Sequence, residues 1–168
     1  MATTFTKIAD YTVGSGGAAN IDFTSIPSTY TDLVVKISSR STRSDTNDFL
    51  KIWFNGLTTN LSHRSLSGDG SSASSGSDGS YIYGRLDGNT ATSNTFGNGE
   101  FYIPNYAGST AKSVSGDTVM ENNATYSVAY LLAGLWNSTS AINQITLAPY
   151  YGNFVQYTTA TLYGVKNA

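Results

Sequence analysis

The chain has one histidine, His63, set between Ser62 and Arg64. A serine nucleophile needs an activating base, and His63 is the sole imidazole that could supply it. Serine is so abundant in this sequence that the adjacent Ser62 carries little meaning. A surface or hydrogen-bonded structural role is the better expectation for His63. Carboxylate pairs could do acid–base work on a glycosidic bond: Asp45 with Asp48, Asp69 with Asp78, Glu100 with Glu121. Their spacing places no two of them across a groove. Asp45-Thr46-Asn47-Asp48 also offers oxygen ligands for calcium, as do Asp69 and Asp78, but the EF-hand loop with its terminal glutamate is absent. Asp and Asn in loops ordinarily close Asx-turns, which is the expectation here. Gly14-Ser15-Gly16-Gly17 precedes no helix, so it reads as a turn and not as a phosphate cradle. There is no cysteine, which removes disulfides and thiolate metal sites. The expectation is no catalytic residue, no metal ligand and no cofactor.

The aromatic residues are the stronger signal. Tyr150-Tyr151-Gly152-Asn153-Phe154, with Tyr157 close behind, reads as an aromatic hairpin tip, and Trp53 stands on a separate strand. Aromatic rings on a surface stack on sugars or anchor a protein interface. Trp53, Tyr150, Tyr151, Phe154 and Tyr157 are therefore the expected interface residues, with protein contact favoured over carbohydrate.

These side chains have to be positioned by strands. Period-2 alternation recurs along the chain, with Gly, Asn, Ser or Pro in most gaps. Asp32 to Ser41 sets Leu33, Val35 and Ile37 against Lys36, Ser38 and Arg40. Phe49 to Asn55 opposes Leu50, Ile52 and Phe54 to Phe49, Lys51 and Trp53, and Asn55-Gly56 signals a tight turn. Further strands are expected at Phe5 to Val13, Ala19 to Ile26, Tyr81 to Leu86, Glu100 to Pro104, Ala111 to Asn122, Ile142 to Tyr150 and Val155 to Lys166. Thr125 to Trp136 carries Tyr126, Val128, Tyr130 and Leu132 on one face and Ser127, Ala129, Leu131 and Ala133 on the other. Both faces are small or apolar, so the strand is expected to be covered on both sides. Ser65 to Ser80 is Ser, Gly and Asp with almost nothing to bury, and reads as a mobile or shallow loop. No stretch holds a 3.6-residue period with caps. The pattern predicts one domain over residues 1–168, an all-β, jelly-roll-like antiparallel β-sandwich.

Composition narrows the partners. Charged residues make up 12% of the chain, about half of what a typical soluble domain carries. The aromatic share, also 12%, argues for a folded chain over a disordered one. A net charge of −2 gives no cationic stripe for nucleic acid; Arg40 and Arg43 are followed directly by Asp45 and Asp48. No apolar run reaches the length of a membrane span, and the start lacks the apolar region of a signal peptide. Synthesis in a host cytoplasm follows as an expectation. Surfaces poor in Lys and Glu desolvate at little cost, which suits permanent neighbours, a homo-oligomer first among them.

Several segments resemble a family of small tailed-bacteriophage virion proteins. They are Tyr11-Thr-Val-Gly-Ser-Gly-Gly-Ala-Ala-Asn-Ile-Asp-Phe-Thr-Ser-Ile-Pro27, Ser28-Thr-Tyr-Thr-Asp-Leu33, Gly68-Asp-Gly-Ser-Ser-Ala-Ser-Ser-Gly76, Phe101-Tyr-Ile-Pro-Asn-Tyr-Ala-Gly-Ser-Thr110 and Gln156-Tyr-Thr-Thr-Ala-Thr-Leu-Tyr-Gly164. They run over nearly the whole chain and bring no catalytic residue with them. The resemblance implies a non-enzymatic virion component: a capsid decoration (cement) protein, a head-fibre subunit or a tail-associated knob. It implies a homotrimer and contact with other virion proteins such as the major capsid protein. The alternative is a tail or fibre receptor-binding module for host-surface glycan.

Overall fold

In the computed structural model, which describes residues 4–123 and 126–166, the alternating runs form twelve strands and no helix. They are β1 (Phe5–Thr12), β2 (Ile21–Phe23), β3 (Asp32–Ser39), β4 (Asn47–Phe54), β5 (Leu61–Gly68), β6 (Ala73–Asp78), β7 (Ile82–Asp87), β8 (Gly97–Pro104), β9 (Lys112–Met120), β10 (Val128–Trp136), β11 (Ile145–Pro149) and β12 (Thr159–Val165). One sheet has the order β1-β12-β3-β8-β9-β10-β5-β6, the other β2-β11-β4-β7, and every ladder is antiparallel. The blocks β1-β12-β3-β8 and β2-β11-β4-β7 are the two halves of a jelly roll, as expected. The hairpins β5–β6 and β9–β10 are additions. Both join the larger sheet beyond β8 and extend it into a wing, and β7 packs against β8, β9, β10 and β5.

One apolar cluster fills the space between the sheets. Leu33, Val35 and Ile37 of β3 meet Leu50, Ile52 and Phe54 of β4 there, with Phe101, Leu132, Trp136 and Leu162. The alternation that predicted these faces is borne out: Val35 is fully buried and Lys36 lies outside, paired with Glu100 at 2.9 Å. Asn55 and Gly56 both have positive φ (53° and 70°), and Leu57 N–H donates to Phe54 O at 2.9 Å. This is the mirror-image turn that suits strand twist. Close approach of the sheets needs glycine where Thr118 is wedged, fully buried, between β7 and β8. A Cβ on Gly84 or Gly99 would come within 2.4 Å or 2.6 Å of its methyl group.

Four expectations change. Ser65 to Ser80 is not a loop but most of the β5–β6 hairpin, because β10 offers β5 an edge to pair with. The strand expected from Thr125 starts at Val128, and Thr125 itself lies outside the described residues. That strand is covered on one face only: Val128, Tyr130, Leu132 and Trp136 are buried while Leu131 is 59% exposed. Finally, Tyr150 to Phe154 is not a hairpin tip. β11 and β12 lie in different sheets, so the segment crosses from one to the other.

The corner where β3 leaves the large sheet is polar and buried. Arg40, 7% exposed, donates from its guanidinium to the carbonyl oxygens of Asn89 (3.0 Å), Ala91 (2.9 Å), Thr92 (2.7 Å) and Thr95 (3.0 Å). It fixes the segment that carries the chain from β7 to β8. Next to it, Ser41 Oγ donates to Asp48, and Asn122 Nδ2 donates to Asp87 at 2.7 Å.

Denaturant titration of three variants checks this picture. Val35→Asp, which buries an unpaired charge, is expected to cost more than about 4 kcal/mol or to abolish folding. Arg40→Met, which strands several carbonyls, is expected to cost about 3 kcal/mol. Lys36→Gln, which removes an exposed ion pair, is expected to cost no more than about 1 kcal/mol. Equal losses in all three would overturn the assignment of faces.

Candidate binding face

The outer face of the four-stranded sheet gathers the aromatic side chains. Strand alternation puts Phe49, Lys51 and Trp53 of β4 on it, and the β4–β7 register sets Arg85 beside Phe49 and Tyr83 beside Lys51. Tyr150 follows β11, with its N–H donating to Phe49 O at 2.8 Å, which lays its ring over β4. The rings form a chain of edge and tilted contacts. Tyr83 to Phe49 is 4.8 Å between centroids, Phe49 to Tyr150 6.1 Å, Tyr81 to Tyr150 5.7 Å and Tyr150 to Tyr151 4.8 Å. Edge-to-face geometry of this kind satisfies the ring quadrupoles.

Lys51 rises through the middle. Its Nζ lies 4.9 Å from the Tyr150 centroid, 5.5 Å from Tyr81 and 5.9 Å from Trp53, within reach of cation–π attraction. Partial burial pulls its pKa below that of a free lysine, against a weaker upward pull from Asp48. Arg85 lies 4.0 Å over Phe49 and Arg43 4.6 Å over Tyr151. Arg43 is neutralised by Asp45 at 3.0 Å. Arg85 donates to Asn47 Oδ1 at 2.9 Å and meets no carboxylate among the described residues.

Of the expected interface residues, the structure brings Trp53, Tyr150 and Tyr151 together. Tyr150 is 39% and Tyr151 49% exposed, and Trp53 is half-buried. Phe154 has to be corrected: it is fully buried, because its backbone bridges to Ala18 and Ser41 turn its ring into the core. Tyr157 is 68% exposed but sits in the turn before β12, at positive φ, with no ring contact to the others. Lys51 and Arg85 are not among the residues expected from the sequence. The signal for Lys51 was present: a lysine two residues from an aromatic on either side shares their face of a strand.

His63 is hydrogen-bonded, and is not on the surface. It is 2% exposed, its Nδ1–H donates to Tyr81 O at 2.8 Å, and Nε2 accepts from the Tyr130 hydroxyl at 3.3 Å. Alternation sends Ser62 to the opposite side of β5. Asp69 and Asp78 close turns, as expected, whereas Asp48 is not a loop residue but a buried one of β4. Asp69 accepts the amides of Ser71 and Ser72, which hold its pKa down at about 2, and Asp78 accepts those of Ser80 and Tyr81. Among the described residues no cluster of three metal-ligating side chains occurs. What the face offers is ring surface, cations and hydrogen-bond donors.

No protein-family model matches the chain, and no curated protein matches it.

Beneath the face, Asp48 ties it down. Fully buried, it accepts from Phe49 N–H (2.7 Å), Ser41 Oγ (2.8 Å) and Tyr151 N–H (3.4 Å). Burial pushes its pKa up, opposed by those hydrogen bonds and by Arg43. A carboxyl with a higher pKa folded than unfolded holds more protons in the folded state. Its contribution is therefore greatest in acid and is lost as pH rises from the ordinary aspartate value towards the folded one. Wild type should lose stability relative to Asp48→Asn as pH rises above about 4. Urea midpoints measured in parallel from acid to neutral pH test this; curves that stay parallel would remove Asp48 from the account.

Proposed function

We propose that this protein is a non-enzymatic structural component of a tailed-phage virion, a decoration or head-fibre subunit that self-assembles, as a trimer, and docks on the particle. The observation that carries the docking is the outer face of the wing. Leu66 (56% exposed), Leu131 (59%) and Leu135 (39%) stand open there. The register places Leu66 directly beside Leu131 and Val119 beside Ala129, so the apolar side chains form one patch. A contiguous apolar surface on a sheet is what a permanent neighbour covers. The charge-poor composition supports the same conclusion, and the family resemblance supplies the particle.

A second reading, a tail or fibre module for host-surface glycan, is favoured by the Tyr150–Tyr151 pair on the opposite side of the sandwich. Copy number separates the two. Purified particles should hold on the order of hundreds of copies if the protein decorates a symmetric shell. A handful of copies would move it to the tail. Leu131→Glu is expected to leave stability within about 0.5 kcal/mol of wild type, since the site is exposed. The same variant should lose self-association by sedimentation and lose particle binding. Assembly undisturbed by that charge would exclude the wing face as the docking surface.

A further inference from the structure

We infer that the aromatic face takes a carboxylate-bearing saccharide, with Lys51 anchoring the carboxylate and Tyr150 and Tyr151 forming the stacking platform. The inference rests on the glycan reading of this face and does not depend on the docking role of the wing.

Charge comes first. Lys51 Nζ lies among three rings, and no hydrogen-bond acceptor or carboxylate meets it among the described residues. An ammonium has three donors, and ring faces attract it without accepting a hydrogen bond in the ordinary sense. The nearby Arg85 likewise has no carboxylate, and its Nε is buried without an acceptor. The carboxylate beneath, Asp48, is occupied by Ser41 and two backbone amides. Two cations without an ion pair among the described residues thus stand on one face of a chain whose net charge is −2. The complementary ligand is an anion.

The surroundings say which kind. Tyr150 and Tyr151 meet at 4.8 Å with their planes 57° apart, and both are exposed, which leaves an open corner of ring surface for the apolar C–H face of a pyranose. An acidic peptide would use the cation but presents no flat C–H face to that open corner of ring surface. A carboxylate on the sugar ring supplies both contacts in one rigid unit, which lowers the entropy cost of binding.

The test titrates the full chain with tri-galacturonate and with 3′-sialyllactose, each against its own methyl ester, following tryptophan fluorescence and heat. At least one acid is expected to bind about tenfold or more tightly than its ester, the scale of one charge-assisted hydrogen bond. Raising salt should weaken the acid and spare the ester. Lys51→Met keeps the stem that packs on the rings and should bring the acid down to the level of the ester. Tyr150→Ala should weaken both. Should Lys51→Met not fold, the comparison of acid with ester on the wild type decides alone. Equal binding of acid and ester, or tighter binding of an oligoglutamate peptide, would overturn the inference while leaving the glycan reading or a peptide site standing. No binding of any saccharide would overturn both the inference and the glycan reading.

Discussion

A buried guanidinium decides how this sandwich closes. Arg40 ends the run of β3 at the point where the chain must leave one sheet for the other. Its charge is met by the carbonyls of a segment about fifty positions further on. Those carbonyls belong to the only stretch that joins β7 of the small sheet to β8 of the large one. Desolvating a guanidinium is expensive, and the cost is recovered only when every donor is matched at once. The arrangement is therefore all-or-none. The 89–95 segment leads into β8, which pairs with β3, and β9, β10 and β5 follow on its far side in the sheet.

The same corner explains how a chain with so few charges keeps several of them inside. Arg40, Asp48 and Asp87 are all buried there, among the neutral Ser41, Asn122 and Thr158. Asp48 faces two ways, to Ser41 of the corner and to the Tyr151 amide of the segment that crosses between β11 and β12. The aromatic face is thus not a patch laid on a finished scaffold. Its outermost tyrosines hang from the carboxylate that also pins β4 to the loop after β3, so the positions of Tyr150 and Tyr151 are set by the core.

What could be read from the sequence was whatever alternates. β4 writes its inner and outer faces in full and β3 its inner one, whereas Val34 and Arg40 of the other face are buried too, and Asn55-Gly56 states its turn. β5 and β6 do not, because Ser, Gly and Asp carry no apolar period. They are strands because the exposed edge of β10 pairs with β5, a tertiary cause with no local trace. The crossing from Tyr150 to Phe154 failed for a related reason. Two strands close in sequence read as a hairpin whether or not they share a sheet, and nothing in Pro149, Tyr150 or Gly152 says that the chain changes layer. Phe154 went inward with that change. On β10 the faces were right and their cover was not: alternation tells which side a residue takes, not whether anything lies over it. Of the binding face, Trp53 and the tyrosines were visible as residue types, whereas the convergence of Lys51 and Arg85 among them depends on β7 lying beside β4.

The wing also sets an order of loosening. β9 is held on both sides, by β8 and β10, with β7 packed across it, whereas β6 hangs on β5 alone and presents six residues of Ser, Gly, Ala and Asp with nothing behind them. Amide protons exchange through the cheapest opening available to them. Deuterium should therefore enter this protein as a front moving inward from β6 through β5 to β10, halting where the jelly roll proper begins. The opposite margin behaves differently. β1 carries a bulge between Lys7 and Ala9 and a lysine–aspartate pair, features that blunt an edge against further pairing, and β6 has none of them. The molecule has a closed margin and an open one, and its slow breathing has a direction.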